Sequence, residues 1–120
     1  YYNGKVYSCD EARMLAEMGD DSFCLGNVYE DQYNDLMATP ACKVLAKASC
    51  LEGLGDCCEC VYHPYCGTCP VINYARYKTV YPNLAKEYRC SIYKGIQNLI
   101  FEKLCENDPK VVEIFRSWCQ

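Results

Sequence analysis

The sequence predicts a small, irregular α+β domain: an N-terminal β-hairpin, cysteine-rich loops and helices towards the C-terminus. Three observations carry this expectation. The chain has 120 residues, which suits one domain. It opens on an Asn-Gly turn signal with a β-prone run and closes on two segments of helical periodicity. Between them the periodicity stops, and cysteine, glycine and proline take over.

Each element has its own signal. Tyr2-Asn3-Gly4-Lys5-Val6-Tyr7 reads as the tip and return strand of a hairpin, Asn3-Gly4 supplying the positive φ values of a type I′ turn. So little chain precedes the turn that the first strand is expected upstream of Tyr1, and the chain reads as a fragment. Asp10 to Met18 suits a short helix capped by Asp10 and ended at Gly19. Ser22 to Val28 is a strand-like run interrupted by Gly26-Asn27. Asp31 to Met37 and Pro40 to Ser49 read as helices, the second with Thr39 as cap, Pro40 in its first turn, and Val44, Leu45 and Ala48 on one face.

From Cys50 to Cys69 the chain is irregular and needs cross-links to stay ordered, and Pro70 is expected to stop it folding back as helix. Ser91 to Cys105 is the strongest helix. Its stripe of Ile92, Ile96, Leu99, Ile100 and Leu104 is expected to pack into the core. Asn107-Asp108-Pro109 then resets the chain, and Val111, Val112, Phe115 and Trp118 suit a last short helix. Residues 1–107 are therefore expected to form the domain and 108–120 a helical tail.

The net charge of -4 argues against general nucleic-acid binding. The charge is uneven: residues 1–60 hold four Lys/Arg against eleven Asp/Glu, and residues 61–120 hold eight against five. The more basic half suits a solvated surface or an acidic neighbour. No apolar run approaches membrane-spanning length, and no basic segment followed by an apolar one opens the chain. Neither a membrane nor a nucleic acid is expected as a partner.

Cysteine is the dominant signal, at twelve residues in 120. That is the level at which it becomes a framework rather than core filler. Cys57, Cys60, Cys66 and Cys69 read as C-x2-C-x5-C-x2-C. Two residues between thiolates let one turn wrap a metal or the edge of a cluster, and Gly67 permits a tight turn. Three frameworks are open. Iron–sulfur clusters take such runs, including a cysteine followed by proline. Structural zinc takes four cysteines, although zinc ribbons set their two knuckles further apart. Disulfides would suit a secreted domain.

The wider order of cysteines resembles the SPASM domain, the auxiliary-cluster domain of radical SAM enzymes. Its pattern is C-x9–15-G-x4-C, a gap, C-x2-C-x5-C-x3-C, a gap and a final C. Cys9, Gly19 and Cys24 match the first part; Cys57, Cys60, Cys66 and Cys69 match the second, with one residue fewer before the last; Cys90 stands at the final position. Asn3-Gly4-Lys5-Val6-Tyr7, Asp10 to Asp20 and Pro64-Tyr65-Cys66-Gly67 are similar to the branch that matures peptides of the His-Xaa-Ser system.

The resemblance implies one or two [4Fe–4S] clusters. Cys57, Cys60, Cys66 and Cys90 match the ligands of the second auxiliary cluster. Cys9, Cys24 and Cys69 match those of the first, whose fourth ligand lies upstream, is absent, or is Cys50. It also implies a cytoplasmic enzyme that modifies a peptide or protein, in which this domain relays electrons, positions substrate or braces the fold. The radical SAM barrel would then lie upstream in the same parent chain. The C-x3-C-x2-C of that barrel occurs nowhere in this sequence, so SAM is expected only through the upstream domain. Cys42, Cys58, Cys105 and Cys119 have no place in the pattern and read as buried or free thiols, though Cys58 could exchange with Cys57. His63 reads as a surface or supporting residue near the sulfurs. Asp10, Glu11 and Arg13 are explained by a cap and a helix-face ion pair. The rival readings are a disulfide-rich secreted binding module and a structural zinc module, and no catalytic residue is nominated under any of them.

Overall fold

The computed structural model describes residues 1–83 and 87–119. The chain opens on a turn in which the Gly4 N–H donates to the Tyr1 carbonyl, with Gly4 at a φ of +84°. Strand β1 (Lys5–Tyr7) follows and pairs antiparallel with β2 (Cys24–Asn27), Lys5 opposite Asn27 and Tyr7 opposite Cys24. The small α+β character and the two-stranded antiparallel pair are as expected. The partner of β1 within this chain is β2, reached across a helix. The opening turn also differs from type I′, since only Gly4 takes a positive φ there. Gly26 does not interrupt the second strand but makes it possible. At its φ of +142° a Cβ would collide with Asp31 and Leu36, so glycine lets the following helix lie close against the strand.

Helix α1 (Asp10–Glu17) is capped by Cys9, one residue earlier than expected, and Asp10 in its first turn pairs with Arg13 at 2.7 Å. Gly19, at a φ of +93°, follows its end. Helix α2 (Tyr33–Ala38) starts after Asp31, whose carboxylate is occupied in accepting the Asn27 N–H at 2.7 Å. Helix α3 (Pro40–Ser49) keeps its expected bounds, with Thr39 Oγ1 accepting the Cys42 N–H at 3.2 Å. Helix α4 (Gly55–Cys58) is a single turn. Helix α5 (Pro70–Tyr77) corrects the sequence reading: Pro70 opens this helix, because proline at the first position loses no hydrogen bond that the helix needs. Helix α6 (Tyr88–Glu106) runs to Asn107, which takes the left-handed conformation, and Asp108 then caps α7 (Pro109–Ser117).

The core joins α1, the residue before β2, α3 and α5. Ala12, Leu15, Phe23, Leu45 and Val71 form it, and Tyr7, Cys9, Cys69, Tyr74 and Val80 pack against it. The Phe23 and Tyr74 rings meet edge to face at 5.1 Å, a preferred aromatic geometry. Leu45 and Ala48 turn inward as expected, whereas Val44 is exposed.

The α6 stripe is not core. Helix α6 buries none of its residues, and Leu99 is 56% exposed. The reason is rotational. The helix directs Cys90, Tyr93, Lys94 and Gln97 inward, and residues two positions on are turned by about 200° at ~100° per residue. Ile92, Ile96 and Leu99 therefore face out. Among the described residues, no helix is long and apolar enough to cross a membrane.

Candidate metal centre

Four consecutive local ties shape the segment between α4 and α5. The Cys57 N–H donates to the Leu54 carbonyl, Cys60 N–H to Cys57, His63 N–H to Cys60 and Cys66 N–H to His63. Each is an i to i+3 bond, and residues three apart in such turns stack above one another. Cys57, Cys60, His63, Cys66 and Cys69 accordingly share one side of the loop, and all five line a single recess. The C-x2-C-x5-C-x2-C spacing contains a period of three, with His63 in the middle position.

Helix α6 supplies the opposite wall. Cys90, Tyr93, Lys94 and Gln97, spaced as one helical face, line the same recess. Loop and helix are tied directly. The Gln97 Nε2 donates to the Tyr65 carbonyl at 2.9 Å, the Tyr62 hydroxyl bonds the Asn98 Oδ1, and the Tyr65 and Phe101 rings meet edge to face at 5.1 Å. Sequence-distant Cys90 is thereby brought to Cys57, Cys60 and Cys66.

The thiols act on one another electrically. Burial raises Cys57 above an ordinary thiol, and the neighbouring sulfurs of Cys66, Cys90 and Cys60 raise it further. Burial likewise raises Cys66, with Cys90 and Cys60 adding to it; the Gly67 N–H and the Lys94 ammonium oppose the rise. Thiolates crowded together are costly until a cation shares their charge, the condition that metal binding relieves by releasing protons.

Below the thiols lies a buried polar network. Glu87 and Arg89 pair at 2.5 Å with side chains only 5% and 13% exposed. Arg89 also donates to the Asn73 Oδ1 at 2.8 Å, and the fully buried Asn73 passes a hydrogen bond to the Val80 carbonyl at 3.3 Å. The charge-assisted bonds from Arg89 hold Glu87 below the usual carboxylate range. The His63 Nε2 lies 3.6 Å from Glu52 Oε1.

Cys9, Cys24 and Cys69 are placed differently. Cys9 stands at the N-cap position of α1; burial raises its thiol, and its sulfur accepts from the Ser8 hydroxyl at 3.8 Å. Cys9 and Cys69 pack against the same core cluster. Cys24 sits opposite Tyr7 in the sheet, its thiol turned towards the Gly26 carbonyl at 3.7 Å. These three are not gathered into one lined recess as the other four are. Cys50 is exposed and its thiol bonds back to the Ala46 carbonyl at 3.3 Å, outside both groups. Cys58 is exposed and bonds to Gly55, leaving Cys57 to face the recess.

All twelve cysteines are free thiols. Among the described residues, no three His, Cys, Asp or Glu side chains are set to hold a single metal ion. Arg89, Glu87, Asn73, Lys94, Thr68 and Gln97 were not singled out from the sequence. A signal existed for two of them: Lys94 and Gln97 fall four and seven residues after Cys90, on its helical face. In comparisons with known proteins, the chain matches no family model, no curated protein and no solved structure.

Proposed function

We propose that the chain is an accessory iron–sulfur domain, with Cys57, Cys60, Cys66 and Cys90 as the ligands of one [4Fe–4S] cluster. One observation carries the reading: these four thiols, from a loop and a separate helix, line one recess, which Cys69 lines as well. They are also the four that the SPASM resemblance groups together. The thiols line a recess, and among the described residues no three are set to hold a single ion, which favours a multinuclear cluster over a single zinc. The donor set fits: four soft thiolates, a backbone N–H at Cys66, and the Lys94 ammonium beside it. When bound, the cluster would supply one-electron transfer. The chain's own part is to hold it, back it with the buried Leu51, and balance its charge with Lys94.

Cys9, Cys24 and Cys69 are proposed as ligands of a second cluster, adjacent through Cys69, which belongs to both surroundings. The resemblance extends the proposal to a cytoplasmic radical SAM enzyme acting on a peptide or protein, with its SAM-binding barrel elsewhere in the parent chain. Anaerobic purification followed by iron, sulfide and Mössbauer analysis tests the cluster reading. A [4Fe–4S] signal is expected, and Cys57→Ala and Cys90→Ala should each lose one cluster's share of the iron, sulfide and signal. Stoichiometric zinc with no acid-labile sulfide would instead establish the zinc module, and six disulfides the secreted one.

A further inference from the structure

Two buried side-chain atoms in the described chain have no hydrogen-bond partner, Thr68 Oγ1 and Gln97 Oε1, and both residues line the thiol recess. A buried hydroxyl without a partner is costly, and such groups in a folded protein call for an explanation. The two atoms do not bond to each other, since neither has any partner. Their chemistry also differs. With Nε2 committed to the Tyr65 carbonyl, Gln97 presents an acceptor, which a metal-bound sulfur, having no proton, cannot satisfy. Thr68 presents a hydroxyl, which donates.

The acceptors around Thr68 narrow the choice. Both oxygens of Glu87 are engaged by Arg89, and so is the Asn73 Oδ1. Thr68 lies in the extended stretch between Cys66 and Cys69, flanked on both sides by residues whose sulfurs line the same recess. None of the thiols present accepts from it either, so the acceptor that remains is the sulfide a cluster would bring. We propose that the Thr68 hydroxyl donates a hydrogen bond to a sulfur of the cluster held by Cys57, Cys60, Cys66 and Cys90, and thereby raises that cluster's reduction potential. The inference rests on the iron–sulfur reading. Its physical basis is that a donor at sulfur stabilises the more negative, reduced cluster more than the oxidised one, so hydrogen bonds to the sulfurs set the potential. Thr68 acts through the cluster, as a tuning residue rather than a catalytic one.

The test uses the full chain, anaerobically reconstituted, as wild type, Thr68→Val and Thr68→Ser. Iron and sulfide per chain are measured first, then the midpoint potential by EPR-monitored titration and the exchangeable-proton couplings by ENDOR in H2O and D2O. Thr68→Val is expected to load iron as wild type does, to show a lower midpoint, and to lose one exchangeable-proton coupling. Thr68→Ser is expected to restore both. Should the valine variant fail to load, Thr68→Ala carries the same comparison. Loaded variants with the wild-type midpoint and unchanged couplings would overturn the role of Thr68 alone. A wild type without iron and sulfide would overturn the cluster reading, and the inference with it.

Discussion

Replacing Glu87 by glutamine should remove a large share of the domain's stability while altering almost nothing in shape. Glu87 receives Arg89 through two short charge-assisted bonds, 2.7 Å from Nε and 2.5 Å from a terminal nitrogen, and its carboxylate also caps α6 by accepting the Arg89 N–H at 3.1 Å. Both side chains are nearly out of water, at 5% and 13% exposure. Removing one partner of a buried pair leaves the other charge uncompensated and costs about 3–5 kcal/mol. Glutamine keeps one acceptor, so the lower end applies, about 3 kcal/mol. Alanine also loses the cap, about 1 kcal/mol more. Against a domain stability of roughly 5–15 kcal/mol, that is a shift easily read in urea titrations of reduced, metal-free protein. The double variant Glu87→Gln/Arg89→Met should recover only part of the loss: no buried charge is then orphaned, but the buried Asn73 Oδ1 loses its donor. The pH dependence follows from the same pair. Glu87 is held below its unfolded value, so its contribution is fully present above the ordinary carboxylate range and fades as pH falls through the depressed folded value. Arg89 stays charged throughout. A loss under about 1 kcal/mol for Glu87→Gln, the behaviour of an exposed pair, would refute the reasoning.

Other substitutions separate site, core and surface. Cys60→Ala and Cys66→Ala should each abolish one cluster by iron analysis, while Cys119→Ala, at an exposed thiol beyond α7, should leave the iron content unchanged; equal losses from all three would favour a disulfide framework. Leu45→Ala, in the core, should cost about 2–5 kcal/mol in denaturant titrations, whereas Leu99→Ala, 56% exposed on α6, should stay within about 0.5 kcal/mol. The isolated chain should form no 5′-deoxyadenosine from SAM under dithionite, since C-x3-C-x2-C is absent from its sequence; appreciable product would contradict the accessory role.

The parts of this fold that are legible in the sequence are those set by local chemistry. Thr39-Pro40 marks the start of α3, and Asn107-Asp108-Pro109 marks the break between α6 and α7, because caps and proline act within a few residues. The pairing of β1 with β2 is not local. It depends on α1, which links the two strands, packing against both and on Gly26 making room for Leu36, neither of which a short window records. Pro70 shows the ambiguity of a single residue, since proline both ends and begins helices, and only the buried Val71 and Asn73 behind it decide which. The candidate site divides the same way. The cysteine spacing is visible in one dimension, whereas the Glu87–Arg89–Asn73 network joins the α5 helix to the start of α6 and exists only once the chain has folded.

The division of labour between the two halves bears on how the recess is maintained. The apolar core ties α1, α3 and α5 together, but α6 and α7 bury no residue of their own. What fastens α6 to the rest is, beside the Tyr65–Phe101 ring contact, polar and around the thiols: Arg89 to Asn73, Gln97 to the Tyr65 carbonyl, and Tyr62 to Asn98. Hydrogen bonds that exchange with water contribute only about 0.5–1.5 kcal/mol each, so this attachment is weak beside a packed helix face. A cluster bridging Cys57, Cys60 and Cys66 to Cys90 would add covalent metal–sulfur links between loop and helix at the same place. Binding energy at such a site is folding energy. The position of Cys90 on α6 therefore gives the cluster a structural consequence whatever its redox role: it would fix a helix that the hydrophobic core does not hold, and with that helix the outward orientation of Ile92, Ile96 and Leu99.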